Sequence, residues 1–172
     1  MISIRMEHAA DAAAVEHLID LAFGPGRHVK PSALLRGRLP FHDTLRFVAI
    51  DETTPERAIL GSVRFTALPF AQAEEGHRTV LLLGPLAVTP ARQRNGVGLK
   101  LIAHGLEAAR ATGHDLVFLM GDPDYYRRAG FAPVSAGAVT MPVPFNPARL
   151  MVHLLDDCAP EAIRGRFLPG PI

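Results

Sequence analysis

The sequence is short of several residue types on which whole classes of protein depend. It has a single cysteine, Cys158, among its 172 residues, so an internal disulfide framework cannot form. Its 18 lysines and arginines nearly balance its 17 aspartates and glutamates, and no cluster of basic residues stands out. Because nucleic-acid-binding surfaces need concentrated positive charge, we expect no nucleic acid as the main partner.

Long apolar runs are also missing. No stretch approaches the ~20 apolar residues that span a bilayer, and residues 1–17 carry charges too early for a signal peptide. The histidines show no metal-ligand spacing, so we predict no metal site. Since 48% of the residues are apolar, a chain of this length can bury a core. We therefore expect one soluble, cytoplasmic domain over residues 1–172 that has no contact with a membrane.

The spacing of apolar residues predicts alternating strands and helices. The predicted order of elements, β-α-α-β-β-β-α-β-α-β, indicates an α+β (mixed α/β) fold, with a core at 1–134 and an irregular, proline-rich extension at 135–172 that has room for extra strands. We predict a polar loop at 69–77, no regular structure at 141–149 and a Pro/Gly-rich tail at 167–172. Strands are predicted at 2–6, 45–51, 58–68, 78–88, 116–120, 131–134 and 151–155, and helices at 11–23, 31–39, 97–111 and 123–129.

The most informative segment is 83–98, which reads LGPLAVTPARQRNGVG. An apolar strand leads through a loop with Gly96 and Gly98 into a helix, and a helix N-terminus offers free N–H groups and a positive dipole end to an anion. A dinucleotide-binding loop would have a third glycine where Leu101 stands, and a P-loop would continue with Lys and Ser or Thr after its last glycine. The segment therefore predicts a phosphate site of another kind.

Gly84 and Pro85 interrupt the strand that precedes this loop. Proline cannot donate to a β-ladder, so it belongs at a bulge or at a free edge. We expect the strand to bend away from its neighbour here, leaving backbone groups that need another partner.

Two motifs together carry a family resemblance. The pattern Q/R-x-x-G-x-G/A is met by Gln93, Gly96 and Gly98, and about thirty residues later the segment 121–131 reads GDPDYYRRAGF. With a helix and a strand between them, these motifs resemble those of the GNAT family of acyl-CoA-dependent N-acyltransferases. The resemblance implies a central, mostly antiparallel sheet with a splayed pair of parallel strands, flanked by helices, and acetyl-CoA as co-substrate.

The resemblance also implies where the cofactor binds. The pantetheine arm would pair with the free backbone of the bent strand, and the pyrophosphate would lie on N–H groups of the glycine loop, which we define as residues 93–98. Arg92, Arg94 and Lys100 are candidates for added positive charge near the phosphates. The implied cofactor residues are Leu86, Ala87, Val88, Gln93, Arg94, Asn95, Gly96, Val97 and Gly98.

Tyr126, four residues before Gly130, matches the position of the family's general acid, which protonates the departing CoA thiolate. A phenol of pKa ~10 stays protonated at neutral pH and can donate to a thiolate whose conjugate thiol has a pKa of ~8.5. The neighbouring Tyr125 is predicted to be a packing or rim residue.

The general base is left open. An alkylammonium acceptor must lose a proton before it attacks a thioester, but the strand at 78–88, where the family commonly has a glutamate, contains no acidic residue. Each remaining candidate is more often a solvated loop charge or a helix cap, and a water relay is an alternative. The candidates are Glu74, Glu75, His77, Asp122 and Asp124.

These features predict an N-acetyltransferase that transfers an acetyl group directly to a primary amine. We expect a small-molecule acceptor rather than a protein, in a pocket lined by residues 24–39 and 135–150. The alternative is an acyl-CoA-binding module without turnover, in which Phe145 or the tail closes that pocket. A nucleotide hydrolase is disfavoured because no set of metal-binding carboxylates is evident. A homodimer is left open, since the tail at 167–169 can pack on its own domain or on a partner.

Overall fold

The computed structural model of the protein describes residues 1–72, 76–156 and 159–169. Over these residues, nine strands form one sheet and four α-helices pack on it. The strands are β1 (Ile2–Met6), β2 (Arg46–Asp51), β3 (Ile59–Gln72), β4 (Gly76–Val88), β5 (Leu116–Met120), β6 (Ala132–Pro133), β7 (Val139–Thr140), β8 (Leu150–Leu154) and β9 (Gly165–Phe167). The helices are α1 (Ala12–Phe23), α2 (Pro31–Arg36), α3 (Val97–Ala111) and α4 (Pro123–Arg127).

The sheet is mixed, as the sequence predicted. Its main path runs β1-β2-β3-β4-β5-β8-β6, while β9 pairs with the far end of β3 and β7 pairs with β9. Every pairing is antiparallel except β4 with β5 and β7 with β9. The predicted fold class, a mostly antiparallel sheet with a parallel pair at its centre, is therefore confirmed.

The central parallel pair separates after two registered residue pairs. Leu81 lies opposite Val117 and Leu82 opposite Phe118, and no pairing between β4 and β5 follows. On the other side of β4, the register against β3 shifts between Val63 and Phe65, which accommodates the Gly84-Pro85 step as a bulge. The expected bend is confirmed, and it leaves the last residues of β4 without a ladder partner on the β5 side.

Helices cover both faces of the sheet. On one face, α3 buries Leu101, Ile102 and Ala109 in a cluster that includes Phe65 of β3. On the other face, α1 packs Val15 and other apolar side chains against β2 and β4. The contact between α3 and β3 is close, because Gly105 faces the ring of Phe65 directly. This packing fixes α3, and with it the glycine loop at its N-terminus.

The β3–β4 hairpin is longer than the sequence predicted. Residues 69–77 were expected to form a polar loop, but β3 continues to Gln72 and β4 begins at Gly76, opposite it. The extension follows from the burial of Phe70, which is fully buried against Phe118 and Phe167. The apolar contacts of this ring outweigh the polar character of the residues after it.

The extension after residue 134 contains more regular structure than the sequence indicated. The strand predicted at 151–155 is present as β8, which lies between β5 and β6. Pro147–Arg149, expected to be irregular, forms a short 3-10 helix. The predicted tail at 167–172 begins inside β9, where Phe167 is 2% exposed. Residues 170–172 lie outside the described part.

Gly105→Ala tests whether the close packing of α3 on the sheet is essential. A Cβ at this position would lie 2.6 Å from two ring atoms of Phe65, so the helix or the ring must shift. Although alanine favours helices, overpacking outweighs this gain, and we expect the free energy of unfolding to fall by about 1 to 2 kcal/mol.

The measurement is urea or thermal unfolding of the variant beside Gly26→Ala. A Cβ at Gly26 meets no atom within 4 Å, so this control is expected to stay within about 0.5 kcal/mol of the parent. A Gly105→Ala protein as stable as the control would contradict the packing described here.

Candidate functional site

Two cavities meet where β4 separates from β5. The larger, of about 710 Å³, lies between the α1–α2 segment and the ends of the separated strands. The smaller, of about 310 Å³, lies over the glycine loop. Leu86, Tyr125 and Tyr126 line both cavities, so these three residues mark the junction between them.

The glycine loop is held in shape by its own backbone and by one side chain. A 3-10 helix at Pro90–Arg92 turns the chain after β4, and the side-chain amide of Gln93 donates to the carbonyl of Val88 at 3.3 Å. Gly96 lies in the left-handed region with a φ of 77°, immediately before α3, a conformation that glycine adopts at little cost. The motif residue Gln93 therefore ties the loop to the end of β4.

Most N–H groups of the loop are free to bind an anion. Within the described residues, those of Arg94, Gly96, Val97 and Gly98 have no protein acceptor, whereas those of Gln93 and Asn95 donate to the carbonyls of Pro90 and Arg92, each at 3.4 Å. The free groups of Gly96, Val97 and Gly98 lie at the N-terminus of a helix of 15 residues, where the helix dipole also favours negative charge. This is suitable chemistry for a pyrophosphate.

The structure brings together seven of the nine predicted cofactor residues. Two do not line the smaller cavity. Ala87 is 2% exposed, packs in the cluster under α1 and pairs with Ser62 of β3, and Asn95 is exposed on the loop. The seven that line the cavity are Leu86, Val88, Gln93, Arg94, Gly96, Val97 and Gly98.

Three arginines supply positive charge to the smaller cavity. Arg92, Arg94 and Arg128 are in its lining, while Lys100, the remaining candidate, is not. The Arg92 guanidinium is 2.8 Å from a carboxylate oxygen of Asp51, so part of its charge is compensated. Arg128 was not foreseen from the sequence, because it reaches the loop from the segment that follows α4.

Tyr126 lies at the junction with its ring against the backbone of Gly121. A Cβ on Gly121 would overlap this ring, so the glycine is required for the close approach. Burial, followed by the nearby Tyr125 and Asp122, raises the pKa of Tyr126, and Arg149 opposes this. The phenol is therefore protonated throughout the neutral range, as a proton donor must be.

Tyr125 packs against the hydrophobic core, one of the two roles that the sequence predicted, and it also lines both cavities. Its ring meets that of Tyr126 edge to face, with 5.0 Å between centroids, and its hydroxyl lies directly over Gly98. Burial raises its pKa, and Arg128 partly offsets this. Adjacent residues point in different directions on a helix, yet both tyrosines line the two cavities at this junction.

The candidates for a general base differ in their position relative to the two cavities. Glu74 and Glu75 lie outside the described residues, as does Cys158. His77 is exposed in the β3–β4 hairpin opposite Ala71 and is absent from both linings. Asp124, also outside both linings, is 90% exposed and pairs with Arg127. Asp122 alone lines the larger cavity, where it also caps α4 by accepting from the N–H of Asp124 at 3.0 Å.

Nine of the twenty residues that line the larger cavity come from α1, α2 and the chain between them. From the extension, only Asn146 and Arg149 take part, and neither Phe145 nor the described part of the tail does. The remaining lining residues belong to α1, the chain between α1 and α2, α2, β4, β5, the turn after β5 and α4: Ile19, Phe23, Arg27, His28, Lys30, Pro31, Ser32, Ala33, Arg36, Leu83, Gly84, Pro85, Leu86, Met120, Gly121, Asp122, Tyr125 and Tyr126.

Two kinds of feature are absent from the described residues. None of the helices in residues 1–72, 76–156 and 159–169 is both long and apolar enough to cross a membrane. Over the same ranges, no three His, Cys, Asp or Glu side chains are grouped so that they could hold a metal ion.

Known proteins resemble this chain in sequence and structure. The Escherichia coli protein named uncharacterized N-acetyltransferase YhbS is 29% identical over 94% of this chain and 92% of its own length. A second E. coli protein, uncharacterized N-acetyltransferase YjhQ, is 39% identical over 90 residues, which are 52% of this chain and 49% of that protein. The chain therefore aligns with about half of YjhQ and with nearly all of YhbS.

Two solved structures share the fold. The crystal structure of YhbS from E. coli in complex with CoA has a TM-score of 0.75 and 28% identity, and covers 96% of this chain and 88% of that one. A GNAT family acetyltransferase from Brucella melitensis in complex with acetyl-CoA has a TM-score of 0.67 and 29% identity, with coverages of 97% and 94%.

The match to a family model agrees with these likenesses. The model for the acetyltransferase (GNAT) family matches residues 12–131, a range that contains α1, the separated strands, the glycine loop and both tyrosines. This chain belongs to the GNAT family of acetyltransferases.

Proposed function

We propose that the protein transfers an acetyl group from acetyl-CoA to a primary amine by direct attack in a ternary complex. The observation that carries the proposal is the junction of the two cavities, where the gap between β4 and β5 meets Tyr126 and the N-terminus of α3. The two relatives whose structures hold CoA or acetyl-CoA support the choice of cofactor.

The cofactor is proposed to lie across the junction. The pantetheine arm enters the gap and pairs with backbone groups of Leu86 and Val88, which face the side that β5 leaves free. The backbone of Ala87 faces β3, as that of Thr89 does two residues later. The pyrophosphate binds the N–H groups of the glycine loop and the first turn of α3. Arg94 and Arg128 then face the phosphates from the walls of the smaller cavity.

The reaction proposed is an acyl transfer without a covalent enzyme intermediate. The neutral amine nitrogen attacks the thioester carbon, the C–N bond forms, and the C–S bond breaks. A backbone N–H of β4 stabilises the negative charge that develops on the carbonyl oxygen. Tyr126 donates its hydroxyl proton to the departing thiolate, and water removes the proton that the amine loses.

One observation supports a second function, acyl-CoA binding without turnover. Residues of β4 include no carboxylate, and Asp122, which lines the larger cavity, already serves as a helix cap. A protein that binds acetyl-CoA but cannot deprotonate an amine would act as a sensor or a structural partner.

Thiol release from acetyl-CoA, measured with a panel of primary amines, separates the two functions. An enzyme releases free CoA in an amine-dependent reaction and forms an equal amount of N-acetylamine, detected by mass spectrometry. Binding of acetyl-CoA with no amine-dependent release across the panel would leave the binding module as the function.

Tyr126→Phe is expected to lower kcat by about 100-fold while the affinity for acetyl-CoA stays the same, because general acid catalysis contributes about 10²- to 10⁴-fold. The matched control is Tyr125→Phe, which removes the adjacent hydroxyl and is expected to keep kcat within about threefold of the parent. If Tyr125→Phe lost turnover and Tyr126→Phe kept it, the acid would be Tyr125.

The pH dependence of kcat provides a second test of Tyr126 as the general acid. Tyr126 acts in its protonated form, and its pKa is raised above the ordinary phenol value of ~10. As pH rises, the acid is lost only above that raised pKa, so we expect kcat to show no alkaline decline between pH 8 and about 10. An alkaline limb in this range that disappears in Tyr126→Phe would contradict the raised pKa of Tyr126, although it would still identify Tyr126 as the acid.

Gly98→Ala tests the contact between the glycine loop and Tyr125. The new Cβ would overlap the Tyr125 hydroxyl, while the next atom, Cγ2 of Val88, is 3.5 Å away. We expect the Kd of CoA to rise about tenfold or more as the tyrosine is pushed into the smaller cavity. In the Tyr125→Phe background the overlapping oxygen is gone, so the same substitution is expected to weaken binding less. Equal losses in both backgrounds would mean that the Cβ blocks the cofactor itself.

A further inference from the structure

The larger cavity has an excess of positive charge. Four side chains that are charged at all ordinary pH values line it, and Asp122 is the one carboxylate in its lining. His28, also in the lining, is exposed and adds positive charge when protonated. The four cations are Arg27, Lys30, Arg36 and Arg149.

The carboxylates of Glu7, Glu16 and Asp20, which are outside the cavity lining, already pair with arginines. Both oxygens of Glu7 accept from Arg64, and the two oxygens of Glu16 accept from Arg64 and from Arg27. Arg27 also contacts Asp20 at 2.7 Å. This network neutralises Arg27 and Arg64.

Arg36 has no share in this network. Its guanidinium stacks on Phe41 at 4.6 Å, and Arg64 stacks on the same ring at 4.9 Å. Among the described residues, Arg36 has no carboxylate within ion-pair distance. Its pKa is lowered, first by burial and then by Arg64 and Arg27, with Glu16 opposing. A half-buried guanidinium next to other cations is stabilised when an anion binds to it.

The cofactor phosphates do not account for this charge. They are assigned to the smaller cavity, which has its own arginines on the other side of Tyr125 and Tyr126. Lys30 immediately precedes α2, Arg36 is the last residue of α2, and both line the larger cavity only. The anion that they fit is therefore part of the second substrate.

We propose that the acceptor is a primary amine that also carries an anionic oxygen group, a carboxylate or a phosphate, and that Arg36 binds this group. The proposal rests on the acetyltransfer proposed above and specifies its second substrate. Arg149, which also lies close enough to Tyr126 to affect its pKa, is placed near the reacting end. Positive charge there favours the neutral form of the amine, which is the form that attacks.

The test compares matched acceptors that differ in charge. The ω-amino acids from glycine to 6-aminohexanoate are assayed with acetyl-CoA beside their carboxamides, and O-phosphoethanolamine beside ethanolamine. We expect kcat/KM for the anionic member of at least one pair to exceed that of its neutral partner by about tenfold or more. Comparison of the amino acid pairs with the phosphoethanolamine pair shows whether the protein recognises a carboxylate or a phosphate.

Arg36→Gln tests the residue itself. It is expected to raise KM for the preferred anionic acceptor about tenfold or more, with kcat and the KM of the neutral partner little changed. Arg36→Lys, which keeps the charge without the planar fork, is expected to lie between the parent and the glutamine variant. The matched control is Arg38→Gln, at an exposed position outside the cavity lining. A merely structural role for Arg36 would impair both members of a pair equally.

Binding of N-acetylated products distinguishes failure of this proposal from failure of the proposed function. In the presence of CoA, the N-acetyl ω-amino acids, their amides and N-acetyl-O-phosphoethanolamine are titrated by calorimetry into the parent and Arg36→Gln proteins. Binding of an anionic product that is weakened in Arg36→Gln supports the anion site even if no amine is acetylated. Equal binding of charged and neutral products, or no binding of any anionic product, would overturn it.

Discussion

The site depends on the point at which β4 stops pairing with β5. Two residue pairs hold these parallel strands together, and the Gly84-Pro85 bulge then turns β4 away. A strand that ends its ladder inside a sheet leaves polar backbone groups that need a partner. In this protein the same step opens the gap, exposes the backbone of residues 83–88 on one side, and directs the chain into the glycine loop and α3.

The two tyrosines of α4 divide the charges of the site into two groups. On one side, free N–H groups of the glycine loop and the nearby arginines make a cavity suited to phosphates. On the other side, Arg36, Lys30 and Arg149 face a cavity with one carboxylate. Because Tyr126 is partly buried between them and its pKa is raised, a neutral proton donor stands where the two substrates are proposed to meet.

The sequence predicts the part of the fold in which local pattern and tertiary packing agree. The glycine loop, α3, the buried β5 and the bend at Gly84-Pro85 all carry strong local signals, and the structure has each of them. The predicted end of the β3–β4 hairpin was wrong because the burial of Phe70 extends strand pairing to the polar residues that follow it. The strand β9 was missed because its burial comes from long-range contacts of Phe167 with Phe70 and Phe118.

Part of the candidate site could also be predicted from the sequence. The two motifs that carry the family resemblance located the glycine loop and Tyr126, and the structure places both at the cavities. Arg36 and Arg128 carry no motif, and only the folded chain shows that they reach the cavities. The position of Tyr125 over Gly98 likewise comes from a contact between α4 and the start of α3, which spacing alone does not reveal.

We expect the gap and the glycine loop to form an acyl-CoA site. Calorimetric titration of acetyl-CoA into the pure protein is the most direct test of this expectation. CoA without its acyl group and ATP serve as comparators. We expect micromolar binding of both CoA forms, with one molecule bound per chain, and no comparable binding of ATP. No binding of either CoA form would contradict it and would leave the glycine loop with a purely structural role.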